Sequence, residues 1–335
     1  MKKPIIALAP MANVTDAAFR RIIAKYGKLA RRGGGPAFAN ATAGKPGVMW
    51  TEFVSCDGIC SAGREKLLID LKFSEKERPI VAQFFGAKPE NFYKCAVLAR
   101  ELGFDGIDIN MGCPDRAVER QGAGAALMKN PELAQEIIAA TKRGAGNLPV
   151  SVKTRIGYDK DELKTWLPAL LKAEPAAIIL HLRTRKEMSD VPARWDTMSE
   201  AIKIRNKLRS KTLILGNGDI QSLEEAKEKA KKYGADGAMI GRGVFGNPWF
   251  FAGKFAEITV AQKLKVLLEH AKLFRSVFKI NPKTNRGLKN YDNMKKHYKS
   301  YVSGFEGAKE LRTKLMSARN YKEVEKEVRT FLKKR

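Results

Sequence analysis

Through residue 241 the chain alternates short apolar runs with longer segments of helical spacing. The apolar runs fall at 5–9, 48–53, 80–84, 106–110, 150–154, 177–181, 212–216 and 237–240. Runs this short and this continuously apolar predict strands buried on both faces, as in parallel sheets. Such strands, alternating with helices over about 250 residues, predict an α/β fold, the (β/α)8 TIM barrel. An open, doubly wound sheet is the alternative. The sequence has no Gly-x-Gly-x-x-Gly turn after the first strand, which weighs against it.

After about residue 255 the strand signals stop. Leu264, Leu267, Leu268 and Ala271, then Leu311 and Leu315, then Tyr321, Val324, Val328 and Phe331 recur at helical spacing. The expected organisation is a barrel domain over 1–255 followed by a small C-terminal helical domain over 256–335. Residues 28–46 fit neither pattern. Rich in Gly and Ala and without periodicity, they read as a flexible loop insertion on the barrel face opposite the active site.

Composition narrows the class. With 335 residues and 44% hydrophobic content the chain can bury a substantial core and reads as soluble and globular. No apolar run approaches the roughly 18 residues of a membrane span. The apolar stretch near the N-terminus is too short for a signal-peptide core and reads better as a first strand. Four cysteines in a chain this long make no disulfide framework and fit a reducing cytoplasm. Cys56 and Cys60 have no second pair nearby, and the histidines at 181, 270 and 297 are scattered, so no metal site is expected.

Charge changes the picture more. A net charge of +27 attracts polyanions, although a solvated basic surface is the competing reading. The excess concentrates in 256–335, with 21 basic against 8 acidic residues. There Lys295, Lys296, His297, Tyr298, Lys299 and Tyr301 interleave cations with aromatics, a pattern suited to an RNA backbone and exposed bases. An amphipathic helix with a charged outer face explains the same string.

Candidate chemistry lies at the strand ends, which a barrel gathers into one pocket. The fourth run leads through Asp108-Ile109-Asn110 into Met111-Gly112-Cys113-Pro114. Gly112 allows an unusual backbone angle and Pro114 stiffens the exit. Cys113 is then either a small buried core residue or a thiol held at the pocket mouth to donate a proton. The first run leads into Ala9-Pro10-Met11, where Pro10 and Met11 could lie against a flat ring; a helix N-cap at Thr15 explains the string equally well. Gln83 carries an amide that both donates and accepts. Lys153 could stabilise negative charge on a cofactor, with Arg155 two residues on. His181 is a hydrogen-bonding group or a satisfied core histidine. The seventh and eighth runs end in Asn217-Gly218-Asp219 and Gly241-Arg242-Gly243, two glycine turns placed where barrels commonly bind phosphate.

Read together, these blocks resemble the flavin-dependent tRNA-dihydrouridine synthases. That signature is matched by Asn110, Gly112, Cys113, Pro114, Gly122, Ala123, Leu127 and Met128. The opening string Ala9 to Arg20 also matches, except that the family usually has Gly where Asn13 stands. Gly246-Asn247-Pro248-Trp249 matches its end-of-barrel motif. The resemblance implies FMN held by Pro10, Met11, Gln83, Lys153, His181, Asn217, Gly218, Asp219, Gly241 and Arg242. It implies NADPH as reductant, hydride delivery to uracil C6 and protonation of C5 by Cys113. Asn110, Arg155, Lys295 and Lys296 are the candidate substrate contacts. The partner is tRNA, and the protein is expected to act as a cytoplasmic monomer. After His181 the chain departs from the family, with Leu182 and Glu187-Met188-Ser189, so contacts there do not carry over. Two rivals remain: a flavin barrel acting on a small molecule of dihydroorotate type, and an RNA-binding protein with a degenerate barrel.

Overall fold

The computed structural model describes residues 4–27, 47–253, 258–281 and 287–334. The 28–46 insertion lies outside them. Eight parallel strands close into a barrel in sequence order, with the last strand pairing back to the first. They are β1 (Ile5–Leu8), β2 (Val48–Ser55), β3 (Ile80–Phe85), β4 (Gly106–Met111), β5 (Val150–Arg155), β6 (Ala177–His181), β7 (Leu213–Asn217) and β8 (Gly237–Ile240). The expected strands are all present, each boundary within two residues of the pattern.

The crossover helices are α1 (Ala17–Tyr26), α2 (Pro89–Glu101), α3 (Pro131–Ala145), α4 (Leu163–Lys172), α5 (Thr197–Lys207) and α6 (Leu223–Tyr233). Local chemistry sets their starts. Asp16 caps α1 by accepting the Phe19 N–H at 3.0 Å. The cap is therefore Asp16, not the expected Thr15. The Thr15 hydroxyl instead accepts the Met11 N–H at 2.8 Å and bends the loop before the helix.

Alternation along the strands sorts side chains into two cores. Ile5, Ala7, Ala9, Val48, Trp50, Val81, Ala177, Ile179, Leu215 and Met239 fill the barrel interior. The opposite set, including Ile107, Ile109, Val152, Ile178 and Ile214, packs against the surrounding helices. Carried upward, the inward positions turn polar: Gln83, then Asp108 and Asn110, then Ser151 and Lys153, then His181 and Asn217. That change from apolar to polar along one face is what opens a site at the C-terminal end of the barrel.

Four further helices follow: α7 (Val260–Val277), α8 (Met294–Tyr301), α9 (Ala308–Ser317) and α10 (Tyr321–Lys333). Their apolar faces form a third core that includes Ala17, Ala18 and Ile22 of α1. Helical periodicity sorts the Lys295–Tyr301 string. Met294, His297, Tyr298 and Tyr301 are buried, and Lys296 and Lys299 face out. The Tyr298 hydroxyl donates to that of Tyr291 at 2.9 Å, and His297 stacks on Phe19 with ring centroids 5.0 Å apart. This corrects the expectation of aromatics open to RNA bases: they are core, and only the lysines are left at the surface. Among the described residues no helix is long and apolar enough to cross a membrane, and no cluster of metal-ligating side chains occurs.

Candidate active site

The barrel mouth holds a cleft of about 200 Å³. It is lined by Pro10, Met11, Lys153, His181, Asn217, Gly218, Asp219, Gly241 and Arg242, with Arg183 and Ser189 beside them. Residues from the ends of β1, β5, β6, β7 and β8 thus converge. A larger cavity, about 410 Å³, lies apart from these groups, between the barrel and the tail.

Gln83 is not part of the cleft wall. It is fully buried beneath it, donating from Nε2 to Asp108 at 2.6 Å and accepting from Asn110 Nδ2 at 3.3 Å. Ser151 donates to the other Asp108 oxygen. Burial pushes the Asp108 carboxyl up to about 6, against hydrogen bonds from Gln83 and Ser151 and the charge of Lys153. A carboxyl at the heart of a buried strand is the signal that sequence reading passed over.

Lys153 stands beside Asn110 in the β4–β5 register. Burial, and then the charge of Arg155, pull its ammonium down to about 8. Burial likewise holds His181 well below the ordinary histidine range, helped by the surrounding Lys153, Arg155, Arg183 and Arg242. At neutral pH His181 is an uncharged imidazole, 3.1 Å from the Arg183 guanidinium through Nε2.

The Cys113 loop is fixed from three sides. Asn110 Oδ1 accepts the N–H groups of Gly112 at 3.1 Å and Cys113 at 3.0 Å. Arg155 donates to the carbonyls of Gly112, Thr184 and Met188, each at 2.9 Å. The Gly-Ala run closes back on the loop, where the Ala125 N–H donates to the Cys113 carbonyl at 3.0 Å. Asn110 and Arg155, expected to touch substrate, are here turned onto the backbone that carries the thiol. Gly112 does not take a left-handed angle. Its glycine is favoured by close approach instead, since a Cβ there would lie 3.1 Å from the Thr154 backbone, tighter than ordinary contact. Cys113 itself is partly exposed, and burial pushes its thiol above the ordinary range, so it keeps its proton at neutral pH.

At the far side of the cleft Gly218 has φ +134°, and a Cβ there would lie 2.6 Å from Ala193. Among the described residues the N–H groups of Gly218, Asp219, Arg242 and Gly243 have no hydrogen-bond acceptor. Asp219 is ion-paired to Arg183 and to Arg242, the latter at 3.0 Å. A carboxylate would repel a phosphate, so Asp219 acts through the two guanidiniums it orients. Arg242 stays 62% exposed and can turn to a ligand. Free amides, an exposed guanidinium and a glycine turn suit a phosphate group.

Lys295 and Lys296 are on α8 and do not line this cleft. Glu119 was not singled out by the sequence, and Arg183 and Glu187 were given no role by it. Arg185 pairs with Glu119, and Arg194 with Glu187 at 2.5 Å, so the loop after β6 is tied down by ion pairs.

The dihydrouridine synthase (Dus) family profile matches residues 7–335. A Bacillus subtilis (strain 168) protein named "Probable tRNA-dihydrouridine synthase 2" is 40% identical over 326 residues, covering 97% of this chain and 93% of its own. A Staphylococcus aureus (strain MRSA252) protein named "Probable tRNA-dihydrouridine synthase" is 39% identical, covering 97% and 92%. Among solved structures, histamine dehydrogenase from Rhizobium sp. 4-9 shares the fold, with a TM-score of 0.51 at 12% identity over 82% of this chain and 50% of that one. A profile spanning nearly the whole barrel and tail, with relatives matched end to end, makes this chain a member of the dihydrouridine synthase family.

Proposed function

We propose that the protein is a tRNA-dihydrouridine synthase that uses FMN, with NADPH as reductant, to reduce the C5–C6 bond of uridine. One observation carries the reading. Cys113 sits two residues past β4 as a protonated thiol; it does not line the cleft itself, but its loop is pinned by Asn110 and Arg155 and its sulfur is within electrostatic reach of Lys153, which does.

The residues present fit FMN. The unpaired N–H groups of Gly218, Asp219, Arg242 and Gly243 and the exposed Arg242 would take the phosphate. Pro10 and Met11 would lie along the ring system. Lys153, His181 and Asn217 would face its polar edge, and Gln83 would support them from below. Bound there, FMN would supply hydride transfer from the nicotinamide to C6 of the uracil.

The chain's own groups do the rest. Lys153 offers a cation in the cleft wall, which would stabilise negative charge on a reduced flavin held there. His181, neutral, donates or accepts a hydrogen bond without adding charge. Cys113 delivers its proton to C5, and the thiolate left behind is reprotonated from solvent. Asn110 and Arg155 hold the thiol in place. The target base must leave its stack to reach the barrel mouth.

Residues 1–255 would form the catalytic barrel and 256–335 the RNA-gripping domain, with the outward lysines of α8 meeting phosphates. A tRNA substrate fits work in the cytoplasm. The test is direct. Purified protein should carry or take up FMN and, given NADPH, should convert uridine to dihydrouridine in tRNA transcribed without modification. Protein that binds no flavin, or that leaves such tRNA unchanged, would reject the reading.

A further inference from the structure

The cavity between barrel and tail has a charged floor that the proposed chemistry does not use. Glu52 of β2 is buried, yet its two carboxylate oxygens are fully engaged. One accepts the Asn13 N–H at 2.6 Å. The other accepts from the Lys289 ammonium, which arrives from the tail and also meets Asp70 at 2.7 Å. The Lys289 side chain is only 9% exposed. Asp16, capping α1 nearby, is pushed up to about 7 by burial and by Glu52, while Lys289 pulls it back.

Asn13 is the point where this cluster meets the cleft. It lies two residues beyond Met11, a cleft-lining residue, and it holds φ +55°. Non-glycine residues rarely take that angle, and asparagine tolerates it best. Its Oδ1 also accepts from Asn293 Nδ2 of the tail at 3.4 Å. The loop after β1 therefore has one end in the cleft and the other tied to the tail through backbone and side chain. An unusual backbone angle held from two sides is an over-determined one. Buried ion pairs add little net stability, but they fix geometry, because a lone buried charge is costly.

We infer that Lys289 is a positioning residue: it reaches from the tail to hold Glu52, which fixes the Asn13 amide and with it the Pro10–Met11 wall of the cleft. The inference rests on reading that cleft as a flavin site. Tail docking and cleft shape then form one equilibrium, so a ligand in the cleft and a ligand on the tail favour each other.

The test uses the full chain with Lys289→Met and with Glu52→Gln/Lys289→Met. The double variant neutralises the buried Glu52 together with its partner, leaves only the part-exposed Asp70 without its cation, and keeps an amide oxygen for Asn13. Two quantities are read: amide hydrogen exchange across 9–16 without ligand, and FMN affinity by quenching of flavin fluorescence. Lys289→Met should speed exchange at Asn13 and raise the FMN Kd, each about tenfold, while exchange in β5 is unchanged. The double variant should fold with exchange still several-fold above wild type, and it decides the matter if the single variant fails to fold. A folded double variant with wild-type exchange across 9–16 and wild-type FMN Kd would overturn the inference, whatever its melting temperature. If the wild type binds no FMN, the flavin reading falls instead, and the exchange measurement alone still judges Lys289.

Discussion

The barrel mouth and the tail are both rich in cations, but they hold them in opposite ways. At the mouth the guanidiniums, the exposed Arg242 apart, are spent inside the molecule. Arg155 is on three carbonyls, Arg183 on Asp219, Arg185 on Glu119 and Arg194 on Glu187. On α8 the sorting is reversed: apolar and aromatic side chains turn inward, and Lys296 and Lys299 stand in solvent. Guanidiniums held in this way do not travel to a ligand, but they hold a reacting atom and its loops in place. Charges in solvent position nothing, but they attract a polyanion from a distance and neutralise its phosphates. The mouth is built for placement and the tail for attraction.

The sharpest break of this comparison is at Cys113. Replacing Cys113 with Ala should lower dihydrouridine formation about 10²–10⁴-fold, the usual worth of a positioned acid. Reduction of bound FMN by NADPH, followed as bleaching of the flavin absorbance, should proceed at the wild-type rate. Loss of both steps together would mean that the thiol supports the cleft itself rather than supplying a proton.

Lys153 gives the next effect, read as pH dependence. Its ammonium is held down to about 8, while the Cys113 thiol is pushed up. As pH rises through about 8 the cation is lost while the thiol is still protonated. In the free enzyme kcat/KM for uridine reduction should therefore fall above pH 8, by about tenfold per unit. Lys153→Arg should move that limb upward, because a guanidinium stays charged. An unmoved limb in this variant would assign the titration to another group.

The tail's interior offers a stability test of smaller size. His270 and His297 are buried against Phe19, with His297 held down to about 3 and His270 also well below the ordinary range, both by burial. Below about pH 6.5 an unfolded chain takes up protons that the folded tail refuses. Stability is thus fully present above that pH and is lost as pH falls below it, down to about 3 for His297, by roughly 1 kcal/mol per unit for each histidine. Neither ring nitrogen of His270 has a hydrogen-bond partner among the described residues. His270→Phe should raise tail stability by about 1 kcal/mol and flatten the acid limb. Denaturant unfolding at pH 5 and pH 7.5 reads both, and an equal slope in variant and wild type would reject the assignment.

Much of the fold was legible because parallel barrel strands are continuous apolar runs, and because one geometric rule collects their ends. That rule placed Pro10, Met11, Lys153, His181, Asn217, Gly218, Asp219, Gly241 and Arg242 in one cleft without any contact being known. What stayed hidden is what depends on partners distant in sequence. Arg155 reads as a cation at a strand end. Its carbonyls belong to Gly112, Thr184 and Met188, in two other loops, so its clamp appears only once the barrel closes. Glu52 and Lys289 are separated by 237 positions. Gln83 reads as a free amide until Asp108 is seen beneath it. The Lys295–Tyr301 string failed differently: its 3.6-residue period already separated core from surface, and residue type drew attention away from it.

The smallest effect separates two neighbouring lysines. Lys295 already pairs with Asp292 at 2.8 Å, whereas Lys296 is exposed with no ion pair among the described residues. If α8 grips phosphates, Lys296→Glu should weaken binding of all tRNAs by a similar several-fold factor and reduce the salt slope by about 1. Lys295→Glu should cost less, because Asp292 offsets part of that charge, although an exposed pair of this kind holds by at most about 1 kcal/mol. The measurement is tRNA affinity against salt for wild type and both variants, with FMN content as a check that the barrel is intact. Equal losses would mean that RNA opens the Lys295–Asp292 pair and uses both lysines. Unchanged affinity and slope in both would move the phosphate contacts off α8, and the tail would then be a solvated basic surface with the mouth alone meeting the RNA.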